Sequence, residues 1–356
     1  MRTPTALITA IGLAVTAQLA FAEIEIDPNS TIHDSPTTLM GVNHIGLSVK
    51  DLDKTLAFYQ QASGFNLVRR EAVRNSAAAD QLFGIEGVAY EVAVLEAPNM
   101  LFEFIEFEHN ADAAITKMPV FGPGMTHTCF QTPSSNSGYD LFRDTGAEIL
   151  SYTDGPIDLG GYGVTYAYGY DPEGNMFEME QLDAGPMAEV EQKVRWIDEG
   201  HSMWMTQVAL VTHDIDRLTN WYAEVMAFKP YRVGDYDGNP RIAEIAGEPY
   251  VSLLASWFRM DQRAKTLEFW QYRDPITPVN QSKRGVTDFG YSYSIEVGDI
   301  QAEYSRMADL GVEFVSAPAD MGDYHQVYAN DVDGNVFALR QWKDPDSPFS
   351  VPNLEQ

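Results

Sequence analysis

The chain has 356 residues, of which 45% are hydrophobic, and it contains one cysteine. This composition is enough to build large apolar cores, and it excludes a fold held together by disulfides within the chain. With 23 Lys and Arg against 52 Asp and Glu, the formal net charge is −29. Such an anionic chain argues against nucleic acid as a partner.

The first 22 residues predict a secretory signal peptide. Arg2 supplies the positive start, an apolar stretch runs from Ala6 to Ala20, and Ala20 and Ala22 flank Phe21 in a small-x-small cleavage form. An uncleaved membrane anchor is the alternative, but the stretch is short for a span, and no later segment could cross a bilayer. We therefore expect a periplasmic or secreted protein with no membrane span after cleavage, in which residues 23–40 form a loosely packed N-terminal arm.

A repeated block opens each half of the mature sequence. The segment from Gly41 to Tyr59 matches the segment from Met205 to Tyr222 almost position for position. In both blocks an alternating apolar pattern predicts a strand, an Asp suited to capping a helix follows, and an amphipathic helix ends in an aromatic pair. The chain thus contains two related starts.

A second repeat completes each half. The segments from Asp171 to Glu178 and from Asp331 to Ala338 both predict a tight turn made by Asp, Gly and Asn, which leads into a final apolar strand. A strand and a helix precede each turn. The chain therefore divides into four βαβββ modules, numbered 1 to 4, near 41–108, 122–182, 203–273 and 287–343. Residues 183–202 are predicted to be a helical linker, and residues 344–356 a loosely packed C-terminal tail.

The repeats predict how the modules assemble. One helix cannot cover both faces of a small mixed sheet, so such modules should pair and leave a concave cup between them. The predicted fold class is α+β, with four βαβββ modules paired into two cup-shaped mixed-sheet domains. We assign modules 1 and 2 to a first domain at 41–182 and modules 3 and 4 to a second domain at 203–343. Each cup is a candidate ligand site.

These motifs resemble the vicinal oxygen chelate superfamily, which includes glyoxalase I, extradiol dioxygenases and bleomycin-binding proteins. The resemblance is carried by the strand that opens at His44 with Asp51 and Tyr59 after it, and by the Asp-Pro-Glu-Gly-Asn turn at 171–175. It implies that the first and last strands of paired modules hold a metal. In modules 1 and 2 the implied metal ligands are His44, Glu103, His127 and Glu178. Modules 3 and 4 offer Gln207, Glu268, Ser292 and Ala338 at the matching places, so only the first pair has a complete set.

Strand periodicity supports this ligand set. Side chains alternate between the faces of a strand, so His44 faces away from Ile45 and Leu47, which point toward a helix. A register slip in the last strand of module 1 would put Glu106 or Glu108 in the place of Glu103. Two imidazoles and two carboxylates suit a divalent metal ion, and Zn²⁺, Fe²⁺, Ni²⁺, Co²⁺ and Mn²⁺ all stay open. The second domain is expected to be degenerate.

The resemblance also implies the chemistry. A set with a Glu from each module points to a metal-dependent lyase or isomerase of the glyoxalase type, acting on a small substrate with neighbouring oxygens. Glu178 and Glu103 are then the candidate catalytic bases. One alternative is an extradiol ring-cleaving dioxygenase that uses His44, His127 and Glu178 on iron. The other is a non-catalytic small-molecule binder, and a homodimer is compatible with all three.

Overall fold

The structure is a computed structural model that describes residues 24–161, 163–183, 191–261, 265–280 and 282–354. The predicted signal peptide at 1–22 and residues 184–190 of the predicted linker lie outside the described residues. The α+β fold class is confirmed, since two mixed sheets carry helices and each sheet has nine strands in the described part of the chain. Among the described helices, none is both long and apolar enough to cross a membrane.

The elements of the first half follow the predicted order. Module 1 comprises β1 (Leu39–Val49), α1 (Leu52–Ser63), β2 (Asn66–Val73), α2 (Ala77–Phe83), β3 (Tyr90–Glu96) and β4 (Leu101–Phe107). Module 2 comprises β5 (Gly124–Pro133), α3 (Gly138–Thr145), β6 (Glu148–Ile149), β7 (Ile157–Asp158), β8 (Val164–Tyr170) and β9 (Met176–Leu182). Short 3₁₀ turns lie at Ile32–Asp34 and Glu108–Asn110.

The second half repeats the same plan after helix α4 (Glu191–Asp198), which lies in the predicted linker. Module 3 comprises β10 (Trp204–Val211), α5 (Ile215–Met226), β11 (Arg232–Asp237), α6 (Pro240–Ile245), β12 (Ser252–Arg259) and β13 (Thr266–Asp274). Module 4 comprises β14 (Gly290–Val297), α7 (Ile300–Asp309), β15 (Glu313–Phe314), β16 (Ala319–Asp320), β17 (Tyr324–Asn330) and β18 (Val336–Trp342), and helix α8 (Val351–Leu354) follows it.

The predicted pairing of modules is wrong. One sheet has the strand order β15-β17-β18-β14-β1-β4-β3-β2 and joins module 1 to module 4, while the other has the order β11-β12-β13-β10-β5-β9-β8-β6 and joins module 2 to module 3. The central contacts are antiparallel: β1 pairs with β14, and β5 pairs with β10. We call the concave face of the first sheet cup A and that of the second sheet cup B.

Modules 1 and 2 do contact each other, but through their helices. Helices α1 and α3 pack together, with the rings of Phe58 and Phe142 5.9 Å apart. The Tyr59 hydroxyl on α1 donates to Asp171 in the turn of module 2 at 3.2 Å, and Tyr222 on α5 donates to Asp331 of module 4 at 3.0 Å. The helical faces of modules 1 and 2 thus contact each other, which leaves the first strands of these modules free to pair with modules 4 and 3 respectively.

A capping side chain fixes the start of helices α1 and α5. Asp51 accepts a hydrogen bond from the backbone N–H of Lys54 at 3.0 Å, and Asp214 accepts one from Arg217 at 3.0 Å. Such a bond satisfies one of the backbone donors that the first helical turn leaves unpaired. Helix α1 ends at Gly64, whose φ of 73° is left-handed and favours glycine. The predicted helix starts are confirmed at Asp51 and Asp214. The predicted ends at the aromatic pairs are wrong, since the two helices continue to Ser63 and Met226.

The alternation predicted along the first strand is confirmed. Ile45, Leu47 and Val49 are buried in the core that also contains Tyr59 of α1. His44 lies on the opposite face, as its strand partner Ser294 does. The apolar core therefore lies between the sheets and the helices, and the polar row of each central strand faces a cup.

Both terminal segments pack more closely than predicted. In the N-terminal arm Ile32 is buried, and the backbone N–H of Thr38 donates to Glu303 at 2.8 Å. In the C-terminal tail Val351 is buried, and its N–H donates to Glu296 at 2.7 Å. The expectation of loose packing is therefore wrong. Both segments bury apolar residues, and these segments are too short to show a periodic pattern that would mark such residues as buried.

Candidate functional site

Cup B brings together the polar side chains of four strands. His127 lies on β5, Glu178 on β9, Gln207 on β10 and Glu268 on β13. The strand register places them on one face, because Cys129 lies opposite Glu178 and Ala209 lies opposite both His127 and Glu268. Ligand atoms of His127, Glu178 and Glu268 all lie within 4.8 Å of one another.

Two atoms in this group lack the partners that burial demands. His127 Nε2 and Gln207 Oε1 are buried, and within the described part of the chain neither has a hydrogen-bond partner. The nearest acid to the imidazole is Glu178, whose Oε2 is 3.9 Å from His127 Nε2, too far for a hydrogen bond. A buried polar atom without a hydrogen-bond partner costs free energy. Two such atoms beside two carboxylates therefore form a group that a bound cation would stabilise.

The charge state of the group points the same way. Burial raises the pKa of Glu178 well above its usual range, and the charges of Glu180 and Glu268 raise it further, while hydrogen bonds from Cys129 and Gln207 act in the opposite direction. Burial lowers the pKa of His127 to about 3, so this imidazole is neutral at ordinary pH. A neutral imidazole, an amide oxygen and two acidic groups form a donor set that a divalent cation would satisfy.

Aromatic side chains flank the donor set on both sides. Tyr168 lies opposite Glu178 on the neighbouring strand, and its ring centroid is 4.9 Å from that of His127. Trp257 lies opposite Glu268 in the same way, and the Arg232 guanidinium lies 3.8 Å from its ring centroid. These rings place aromatic surface beside the polar donor set, and small-molecule sites commonly combine the two.

Cys129 lies beside this group as a buried thiol. Its Sγ lies within 4.8 Å of ligand atoms of Glu178 and Glu180. Burial raises the pKa of Cys129 well above its usual range, and nearby carboxylates raise it further. A thiol held in its neutral form packs as a small apolar group.

Cup A contains the other two predicted ligands, His44 and Glu103, and they have different neighbours from those in cup B. His44 Nε2 lies 3.9 Å from Glu103 Oε1, and the Arg340 guanidinium donates to Glu103 Oε2 at 3.2 Å. Arg340 also donates to Gln326 at 2.6 Å and lies 4.1 Å from the ring centroid of Tyr324. The fixed positive charge of a guanidinium therefore sits beside Glu103.

The electrostatics of cup A follow from Arg340. Burial opposes ionisation of Glu103, but the charges of Arg340, His44 and Arg69 and the hydrogen bond from Arg340 together outweigh burial and lower the pKa of that carboxyl below its usual value. Burial and the same guanidinium lower the pKa of His44 to about 3. The module 4 residues at the ligand positions are Ser292 and Ala338. Of these two side chains, only the Ser292 hydroxyl could bind a metal. Cup A is thus neutralised by the chain itself.

The prediction that His44, Glu103, His127 and Glu178 share one metal site is wrong. The first two lie in cup A and the last two in cup B, because module 1 pairs with module 4 and module 2 pairs with module 3. The iron triad of His44, His127 and Glu178 is divided in the same way. Gln207 and Glu268, which we assigned to a degenerate domain, complete the set around His127 and Glu178.

Two residues near the cups were not among the predicted site residues. Glu180 follows Glu178 by two positions and therefore shares its face, and Arg340 follows Ala338 by the same interval. Parity places both on the cup faces of their strands. Arg340 in particular is a basic residue on a cup-facing position of module 4, and its charge was a usable signal against a metal in that cup.

Comparisons with known proteins agree with this fold. The family model described as Glyoxalase/Bleomycin resistance protein/Dioxygenase superfamily matches residues 41–179 and 204–339. A protein named Glyoxylase I 4 from Arabidopsis thaliana is 25% identical over 153 residues, which are 43% of this chain and 77% of that protein.

Solved structures resemble most of the chain. The structure of glyoxalase I from Zea mays has a TM-score of 0.55 at 17% identity, and the match covers 87% of this chain and 94% of that one. A putative dioxygenase from Bacillus subtilis has a TM-score of 0.55 at 12% identity, with 90% and 91% covered. At these identities the likeness concerns the fold.

Proposed function

Because the chain belongs to the Glyoxalase/Bleomycin resistance protein/Dioxygenase superfamily, we propose that cup B is the active site of a divalent-metal-dependent lyase or isomerase of the glyoxalase type. Its substrate would be a small molecule with two neighbouring oxygens. His127, Glu178, Gln207 and Glu268 would hold the cation. The observation that carries the proposal is the pair of buried, unpartnered ligand atoms, His127 Nε2 and Gln207 Oε1, beside two carboxylates.

The residues of cup B have distinct tasks in this proposal. A cation held there would polarise the substrate oxygens and stabilise the negative charge that develops on them. Glu178 and Glu268 approach the same point from strands β9 and β13, so either carboxylate could take a proton from the carbon beside a substrate carbonyl and return it to the neighbouring atom. Tyr168 and Trp257 would exclude water and contact the apolar part of the substrate.

The second candidate base differs from the one that the sequence suggested. Glu178 keeps the role of candidate base that the sequence suggested, whereas Glu268 replaces Glu103 as its counterpart. Glu103 is ion-paired to Arg340 in cup A, and a carboxylate held by a guanidinium is a poor base because its ionised form is stabilised. The dioxygenase alternative has less support, since cup B supplies one imidazole instead of two.

Metal analysis of two matched variants tests the proposal. The purified protein should bind close to one equivalent of a divalent metal, His127→Ala should lose at least about 100-fold in metal affinity, and His44→Ala should keep the affinity of the wild type. The two histidines are equally buried and occupy the same position in their strands, so each variant is a control for the other. A protein without stoichiometric metal, or one in which His44→Ala is the damaging change, would refute the assignment and leave the non-catalytic binder as the better account.

We also propose that the protein works outside the cytoplasm, in the periplasm or the medium. The support is the N-terminal sequence, with Arg2, the apolar stretch and the Ala20-Phe21-Ala22 motif. Expression of the full chain in a Gram-negative host, followed by N-terminal sequencing of the periplasmic fraction, should give a mature protein that begins near Glu23. Full-length protein recovered from the cytoplasm would count against export.

A further inference from the structure

A chain of hydrogen bonds leads from the strand edge of cup B to the donor set. The indole N–H of Trp204 donates to Gln131 Oε1 at 2.9 Å, and Gln131 Nε2 donates to Glu180 Oε2. The other oxygen of Glu180 accepts from Gln207 Nε2 at 3.2 Å. All four side chains are buried, and none of them was among the predicted site residues except Gln207.

Each link in this chain has only one possible polarity. An indole N–H can only donate, so it must meet the oxygen of Gln131 and turn the amide nitrogen toward Glu180. A carboxylate can only accept, so the Gln207 amide must present its nitrogen to Glu180. The remaining atom, Gln207 Oε1, is then directed away from Glu180, and it is the buried oxygen that has no partner in the described part of the chain.

The direction of this amide matters because its two ends differ chemically. An amide oxygen has lone pairs that a cation can accept, whereas the amide nitrogen carries two hydrogens and repels a cation. If the amide were reversed, its oxygen would face the carboxylates of Glu178 and Glu180, to which its nitrogen now donates, and its N–H groups would take the place of Oε1. The sequence position of Gln207 therefore does not decide whether it can serve as a ligand, and its orientation does.

The corresponding position in the other modules lacks this arrangement. Two residues after the last-strand site, module 1 has Ile105, module 3 has Trp270 and module 4 has Arg340. Arg340 shows what a different residue does there, because it donates to Glu103 and neutralises cup A. The acid in module 2 is paired across the strands with Gln131, in the register where module 4 pairs Arg340 with Glu296.

From this chain we infer that Glu180 is a positioning residue, which fixes the Gln207 amide with its oxygen toward the cation site and is itself held by Gln131 and Trp204. Glu180 does not contact the cation in this account. The inference rests on the proposed function, because it concerns the same site. It adds the reason why a glutamine can take a place that modules 1 and 2 fill with histidine.

The first test measures metal affinity in Glu180→Gln. This variant keeps the size of the side chain but can donate as well as accept, so the Gln207 amide loses its fixed direction. We expect a loss of about 10- to 100-fold in affinity for Co²⁺, measured by competition with a chelating dye, and a changed d–d absorption spectrum. Glu296→Gln, the same change at a buried strand carboxylate of cup A, is the matched control and should bind like the wild type.

A double-mutant cycle separates positioning from the simple loss of a nearby negative charge. In a Gln207→Glu background both terminal atoms of residue 207 are oxygens, so the direction of the group no longer matters. Glu180→Gln should then cause no further loss of affinity. A loss of equal size in both backgrounds would show a general electrostatic effect and would overturn the inference.

Two further outcomes are distinct. If the wild-type protein binds no metal, the proposed function falls and the inference falls with it, whereas wild-type affinity in Glu180→Gln overturns the inference alone. If Glu180→Gln does not fold, Trp204→Phe removes the N–H that orients Gln131 and should weaken binding in the same direction by a smaller factor. If the folded Trp204→Phe variant keeps the metal affinity and the absorption spectrum of the wild type, the chain of hydrogen bonds does not position Gln207.

Discussion

At the scale of single residues, the charge state of Glu178 connects burial to metal binding. A carboxyl group with a raised pKa holds its proton to a higher pH than an exposed glutamic acid does, and a cation binds the ionised form. His127 contributes nothing to this balance above about pH 4, since burial keeps its pKa at about 3. Protons released on metal binding should therefore come from the acids of cup B.

The first prediction is a pH-dependent metal affinity. Below the raised pKa of Glu178 the cation must displace a proton, so affinity should rise with pH and level off once that pKa is passed. Titration calorimetry in two buffers of different ionisation enthalpy, repeated at several pH values, should detect protons released on metal binding, and the number released should decrease as pH rises. Glu178→Gln should abolish the release, and a wild-type protein that binds metal without releasing protons would contradict the pKa assignment.

A second prediction concerns the buried ion pair of cup A. Arg340→Met leaves the Glu103 carboxylate buried without its partner, which should lower the free energy of unfolding by about 3–5 kcal/mol. The double variant Arg340→Met with Glu103→Leu removes both charges and should regain most of that loss. Urea unfolding measures both values. If the double variant is no more stable than the single one, the pair is not the source of the effect.

At the scale of elements, the C-terminal tail is tied to the sheet by one carboxyl group. Glu296 on β14 accepts from the N–H of Val351 at 2.7 Å and from the amide of Asn43 at 2.9 Å. Burial raises the pKa of Glu296 to about 7, although these hydrogen bonds and the charges of Lys265 and Arg340 lower it in part. The folded protein therefore holds this proton to a higher pH than the unfolded chain does, although the hydrogen bonds from Val351 and Asn43 favour the ionised form.

The third prediction is a loss of stability at rising pH that Glu296→Gln removes. Between about pH 4.5 and 7 the folded protein holds a proton that the unfolded chain releases, so the free energy of unfolding falls as pH rises through this window. Glutamine can accept the same bonds without a charge. The variant should gain up to about 3 kcal/mol over wild type at pH 8 and nothing at pH 4, by urea unfolding. Equal pH profiles would refute it.

At the scale of the whole molecule, each cup needs a strand set from both halves of the chain. His127 and Glu178 come from the first half, whereas Gln207 and Glu268 come from the second. A fourth prediction follows for protein divided between residues 184 and 190. Either half alone should bind metal at least about 100-fold more weakly than the intact chain, and the two halves produced together should copurify and recover the metal.

This division test also separates two accounts of the site. The first half carries all four ligands that the sequence suggested, so full metal affinity in that half alone would support the original assignment and contradict the sheet order. Copurification is checked by a tag on one half only. A tagged first half that forms a stable pair with itself would show that the cup can also be built from two copies.

The local features were predictable because neighbouring residues determine them. Asp51 and Asp214 mark helix starts, Asp171 and Asp331 build turns with a following Gly and Asn, and the alternation from His44 to Val49 assigns faces to the strand. The partner of each sheet edge was not predictable in this way. Every module presents the same kind of first strand at its open edge, and pairing depends on how the helices pack, which no single strand encodes.

The error in pairing also explains the error in the site. His44 and Glu103 match the ligand positions as well as His127 and Glu178 do, so the sequence ranks modules 1 and 2 together. Only the sheet order shows that Gln207 faces His127 and that Arg340 reaches Glu103. Residue type and parity found the positions, while the grouping of positions required the tertiary structure.

The nested order of the pairs, with modules 2 and 3 inside modules 1 and 4, has a consequence for damage and for synthesis. The inner pair is complete as soon as residue 274 has been made, whereas strand β1 must wait for β14 before its edge is covered. Fraying or proteolysis that removes β1 or β18 would damage cup A and leave every strand of cup B in place. The donor set of cup B therefore belongs to the middle of the chain, between the two modules that build cup A.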